Sequence, residues 1–308
     1  MPVEERDEAF IRDQNIFRRN ALQLVNKMLK MSTLKTSSLV DEFLHSIFFL
    51  GTLTFPSLSP EDIFQNDQEI LDVLKELYPR PFTLYSSQLP RRSPFSCVLD
   101  MVVHLCGPDK ESIQDKLHEL VSNVKQNDNS KILFSRTLCV SSVSGTRRHY
   151  GVSMSTSRTP ARQIMIASGC LRYWEDCVAA AVMSYCPQTK KKNYFDGTFQ
   201  LPAEVSCEAF DILNKEPKAP CLSCKHMFFN LVEPTKTDKI FPYGNCAEPE
   251  SLSNLFKNEE NVKKQVEEFI NGRDNNRARA KKDVICNLTG VLKQNSGFTW
   301  DTNYYSPQ

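Results

Sequence analysis

Two short segments place three cysteines and a glutamate at the starts of two helical patterns, and they constrain this chain more than any other feature. The first is Pro220-Cys221-Leu222-Ser223-Cys224, leading into Met227, Phe228 and Leu231. The second is Cys246-Ala247-Glu248-Pro249-Glu250, leading into Leu252, Leu255 and Phe256. Each apolar pattern predicts a helix with one buried face. Pro249 suits a first helical turn, where its missing N–H costs nothing. The unpaired N–H groups and positive dipole end of a helix start favour thiolates.

Two cysteines three residues apart at a helix start can point at one metal ion, and a cysteine from a second helix start can join them. Zn2+ held by three protein ligands keeps its fourth position open, and a water there is far more acidic than bulk water. Glu248 stands two residues past Cys246, close enough to take a proton and pass it to a leaving amine without being a ligand. This is the equipment for hydrolytic deamination of an amidine-like carbon, as in cytosine or adenine. Glu250 is a second candidate for the proton carrier. Other readings use the same residues. With His226 or Cys207 as fourth ligand the site closes, and the chain is a non-catalytic zinc-stabilised interaction protein. A CxxC can be a redox pair, which leaves Cys-Ala-Glu unexplained, and the cysteines can also be plain buried side chains.

Cys-Ala-Glu at one helix start and Pro-Cys-x-x-Cys at another resemble the two motifs of the zinc-dependent cytidine deaminase superfamily, which includes the AID/APOBEC nucleic-acid editors. The resemblance implies an α/β fold, an α/β/α sandwich with a central sheet. It also implies Cys221, Cys224 and Cys246 as zinc ligands, Glu248 as proton shuttle, and a cytosine-containing nucleoside or single-stranded nucleic acid as partner. In that family the Cys/His-x-Glu motif comes first, whereas here Pro-Cys-x-x-Cys does. Either the chain is circularly permuted relative to the family or the likeness is convergent.

The chain has 308 residues, 40% apolar and 24% charged, with a formal net charge of +1. That balance fits a globular protein with a real core, and any nucleic-acid contact would need a local basic patch. The charged N-terminus and the shortness of the most apolar run, Phe43 to Phe55, predict neither a secretory signal nor a membrane span. An odd count of eleven cysteines cannot pair completely. The expectation is a reducing cytoplasmic or nuclear setting, with most thiols, including Cys170, Cys177 and Cys186, in the core.

Residues 1–128 read as a helical N-terminal region. Helices are expected from Ser59-Pro60 through Leu77 and from Pro108-Asp109 through Val121, with a loop from Pro79 to Pro94 between them. The polar cluster Asn127 to Ser130 marks a change, and residues 129–308 read as the zinc domain. Ile132–Val143 and His149–Thr156 predict a hairpin across Ser144-Gly145, and Arg162–Cys186 a helix. Val205–Leu213 is ambiguous, and Val262, Val266, Phe269 and Ile270 mark a further amphipathic helix. His45, His104 and His118 read as packed or surface side chains, and His149 as a surface one. Basic clusters fall at Arg91-Arg92, Arg147-Arg148, Lys190 to Lys192 and Arg273 to Lys282, all expected to be solvated. In the last cluster Arg273, Arg277, Arg279, Lys281 and Lys282 are candidates for nucleic-acid contact, with Trp300, Tyr304 and Tyr305 as stacking partners.

Overall fold

A computed structural model describes residues 3–122, 132–156, 159–231, 239–270 and 276–308, with side chains described from residue 13 and, in the helix ending at Ile270, up to residue 267. The first part is helical: α1 (Val3–Met31), α2 (Ser37–Thr52), α3 (Pro60–Ile63), α4 (Gln68–Leu77), α5 (Pro79–Leu84), α6 (Pro94–Cys106) and α7 (Lys110–Ser122). The helix α2 is apolar almost all round and lies in the middle of this group, with Phe43, Leu44, Ile47 and Phe48 fully buried. The Ser59 start holds, with reciprocal capping bonds between Ser59 and Asp62. The single helix expected through Leu77 is nevertheless two, because Gln65 and Asn66 take positive φ angles of 55° and 59° and Asp67 caps a fresh start at Gln68 by accepting the Ile70 N–H. The expected loop from Pro79 contains α5, whose prolines stand in a first turn that needs no N–H. The helix α7 buries Ile113, Leu117, Leu120 and Val121, as its spacing predicts.

The second part is mixed: β1 (Thr137–Val143), β2 (His149–Val152), α8 (Ala161–Ser168), α9 (Asp176–Met183), β3 (Phe199–Gln200), β4 (Val205–Asp211), β5 (Pro217–Lys218), α10 (Leu222–Met227), β6 (Phe228–Phe229), α11 (Glu248–Asn258), α12 (Glu260–Ile270) and α13 (Arg277–Leu292). The predicted hairpin forms, with Leu138 opposite Val152 and Ser141 opposite His149. The ambiguous stretch is strand β4, paired antiparallel to β1 from Thr137–Asp211 to Val143–Val205. The antiparallel sheet runs β2-β1-β4-β5, and β3 and β6 form a separate parallel pair. The expected helix 162–186 breaks: α8 passes into a π-helical turn over Gly169–Tyr173, Trp174 is extended, and the Glu175 carboxylate caps α9 through the Cys177 N–H. Leu171, Trp174, Val178 and Val182 are buried all the same.

The chain is thus a mixed α/β protein with a small sheet. Buried apolar side chains from Phe17 to Phe298 form one continuous cluster. The expected boundary between residues 128 and 129, with the polar cluster 127–130, lies outside the described residues, as do the side chains of Phe269 and Ile270. Among the described residues no helix is long and apolar enough to cross a membrane.

Candidate metal centre

Cys221 is the N-cap residue of α10, and Cys224 sits in its first turn. Cys246 and Ala247 precede α11, which opens at Glu248 with Pro249 in its first turn. The helix α10 is short: Phe228, expected on its buried face, already belongs to β6. Backbone stitching brings the two tips together. The Leu222 N–H donates to the Lys239 carbonyl at 2.9 Å, and the Phe241 N–H donates to Ser223 Oγ at 3.2 Å. Tyr243 then stacks on Tyr185 with ring centres 3.7 Å apart. Gly244, at φ 85°, turns the chain where a Cβ would press within 3.0 Å of Ile166 and Val182.

The second tip is fastened to the hairpin. The Met154 N–H donates to the Asn245 carbonyl at 2.9 Å. Glu250 Oε2 accepts the Val152 N–H at 2.8 Å, and the Asn254 amide donates to the Tyr150 carbonyl at 2.9 Å. Ser251 Oγ lies 3.0 Å from the His149 carbonyl oxygen. The helix lies so close to β2 that a Cβ on Gly151 would fall 2.2 Å from the Ser251 nitrogen.

These contacts set Cys221 Sγ 3.4 Å from Cys246 Sγ and 3.7 Å from Cys224 Sγ. All three sulfurs lie within 4.8 Å of one another. Sulfurs on one tetrahedral ion at a Zn–S distance of about 2.3 Å stand about 3.8 Å apart, and a disulfide would bring two of them to about 2.05 Å. The spacing therefore suits a shared ion. Neither His226 nor Cys207 joins the trio: His226 Nδ1 faces the Tyr243 hydroxyl at 2.9 Å, and Cys207 Sγ faces Cys139 Sγ at 3.5 Å across β1 and β4. All eleven cysteines are free thiols.

The contacts within the trio favour a thiolate at Cys221. Contact with Cys224, then with Cys246, pulls the Cys221 thiol down to about 2, while the thiols of Cys224 and Cys246 are pushed up by their contacts with Cys221. Glu248 is buried beside them, and burial, reinforced by the Cys221 charge, pushes its carboxyl up to about 7. Glu250 is equally buried, but its carboxylate faces Val152 and the sheet. Glu248, Cys221 and Cys246 line a cavity of about 900 Å3, whose other walls carry Arg136, Arg162, Lys218 and Lys239.

The residues first singled out for nucleic-acid contact lie elsewhere. Arg277 donates to the Asp176 carbonyl at 2.7 Å, Arg279 covers the Tyr194 ring at 4.0 Å, and Lys282 is exposed. Lys281 lines a separate groove of about 750 Å3 with Trp300 and Tyr304. Arg273 lies outside the described residues. Tyr305 is not a stacking platform for a base: it is buried against His45, ring centres 3.8 Å apart, with its hydroxyl donating to Asp41 at 2.6 Å. Nor are the other basic clusters wholly solvated. Arg92 is buried in ion pairs with Glu42, at 2.8 Å, and Asp100. Lys192 is buried too, donating to the Met183 carbonyl at 2.5 Å. His149, expected at the surface, is buried with Nε2 3.6 Å from Glu259.

The wall cations escaped the sequence reading because they come from four separate stretches of chain. The available signals were slight: Lys218 lies three residues before Cys221, and Arg136 lies within a predicted strand. No family model, curated protein or solved structure matches the chain.

Proposed function

We propose that this chain is a zinc-dependent hydrolytic deaminase acting on a cytosine-containing nucleoside or nucleic acid. The observation that carries the reading is the meeting of two helix tips: three thiols within 4.8 Å of one another, with Glu248 beside them on the wall of an open cavity. In this reading Cys221, Cys224 and Cys246 hold Zn2+, which supplies Lewis acidity and makes water nucleophilic at neutral pH. Glu248 carries a proton from the attacking water to the departing amine nitrogen, and ammonia leaves. The cavity walls exclude bulk water and seat the base. An α/β/α sandwich in residues 129–308, permuted or convergent relative to the deaminase superfamily, belongs to the same proposal, with residues 1–128 as a helical region preceding it. Its support is that the two motifs converge in space despite their reversed order along the chain.

The test uses Glu248→Gln. Production of uridine from cytidine, deoxyuridine from deoxycytidine and a uracil-bearing strand from a cytosine-bearing oligonucleotide is followed by chromatography, alongside zinc content and melting temperature. The expected result is turnover by the parent protein and a loss of at least about a hundredfold in the variant, with one zinc per chain in both. A zinc-loaded parent that turns over none of these substrates would support the non-catalytic interaction protein instead.

A further inference from the structure

The cavity over the cysteine trio is built for more than a neutral base and sugar. Four cationic side chains reach it: Arg136 next to β1, Arg162 on α8, Lys218 on β5 and Lys239 in the stretch that returns to Cys246. Among the described residues the cavity wall also carries two carboxylates, Asp211 and Glu248. Asp211 accepts from Arg136 Nε at 3.1 Å and from Lys218 Nζ at 3.2 Å, so it pins both cations in place while offsetting only part of their charge. Lys218 Nζ is further held by Thr137 Oγ1 at 3.1 Å. Cations fixed in this way lose little freedom when an anion arrives.

Guanidinium and ammonium donors around one space match the several acceptor oxygens of a phosphate ester.

We infer that this cavity binds its substrate through a phosphate ester, held by Arg136, Arg162, Lys218 and Lys239, so that the ligand is a nucleotide unit and not a free nucleoside. The inference rests on the deaminase reading for the identity of the base, but not for the phosphate. The experiment therefore separates the two. Binding of the zinc-loaded full-length chain is measured calorimetrically with inorganic pyrophosphate, cytidine, cytidine 5′-monophosphate and a short oligocytidylate, and repeated with Arg162→Gln/Lys239→Gln. Neither of the altered residues is a thiol ligand, so zinc content serves as the folding control. The expected result is that the monophosphate binds at least about tenfold tighter than cytidine, that pyrophosphate competes with it, and that the double variant closes the gap while keeping its zinc. Tighter binding of the oligonucleotide than of the monophosphate assigns the ester to a strand, and the reverse order assigns it to a free nucleotide. Equal binding of cytidine and its monophosphate, or a phosphate preference that survives in the double variant, overturns the inference. Phosphate-selective binding without turnover would leave the inference standing and remove the deaminase reading. Turnover of cytidine as efficient as that of the monophosphate would do the opposite.

Discussion

Cys224 has no exposed surface, and its Sγ lies 3.7 Å from Cys221 Sγ. In the proposed zinc site a thiol packed this way contributes as a metal ligand and as buried volume, and the two contributions separate by comparison with Cys207. Cys207 is also buried, but its sulfur faces Cys139, at 3.5 Å, and is not part of the trio. Replacing Cys207 by Ala removes one buried atom and should cost about 1 kcal/mol, with metal content unchanged. On the proposed reading, replacing Cys224 by Ala removes a ligand from a set of three, and binding free energy at such a site is folding free energy. Zinc per chain is expected to fall from near one to near zero, and the melting temperature by about 5 °C or more. Metal analysis with a thermal melt checks both variants, and equal behaviour of the two would show that the trio holds no ion.

At the scale of elements, the centre depends on how α11 is seated. Gly151 lies on β2 directly under the helix, where a Cβ would come within 2.2 Å of the Ser251 nitrogen and 2.6 Å of the Ala247 carbonyl oxygen. Both obstructing atoms are backbone, so no side chain can swing aside. Gly151→Ala must lift the helix start that carries Cys246 and Glu248. The expected cost is about 1–3 kcal/mol of stability together with weaker zinc affinity, measured by denaturant unfolding and by competition with a chelator. Unchanged zinc affinity at reduced stability would mean that the tip moves as a rigid unit with the hairpin. The two tips were legible in the sequence because their signals are local: cysteines, prolines and apolar spacing within about ten residues of chain. The hairpin and α7 were legible for the same reason. Gly151 was not, because its requirement comes from a helix nearly a hundred residues away. The break at Gln65-Asn66 and the π-helical turn at Gly169 escaped as well, since apolar periodicity runs straight through both. Arg92 and Lys192 looked solvated because the groups that bury them, Glu42 and the Met183 carbonyl, are invisible to a local reading of charge.

At the scale of the whole molecule, the C-terminal tail locks the helical part. The Tyr305 N–H donates to the Leu89 carbonyl at 2.8 Å, and the Thr299 N–H donates to the Ser86 carbonyl at 2.9 Å. The Tyr305 ring closes over His45, which is fully buried on α2. Burial pulls the imidazole down to about 3 from its usual 6.5, so His45 stays neutral in the folded protein across the physiological range. Above pH 6.5 the ring is neutral in both folded and unfolded chains and adds no pH dependence. As pH falls below 6.5 the unfolded chain takes up a proton that the folded chain refuses, and stability is lost progressively toward pH 3. Between pH 7 and pH 5 this one residue should cost about 2 kcal/mol. His45→Phe keeps an aromatic ring against Tyr305 but cannot titrate. Glu42, Asp41 and Arg80 stand near His45 in both proteins, so their contributions largely cancel in the comparison. Urea unfolding at pH 7 and pH 5 should therefore show the parent losing about 2 kcal/mol more than the variant over that interval. Parallel losses in the two proteins would place the acid sensitivity in other groups and show that His45 is free to protonate where it sits.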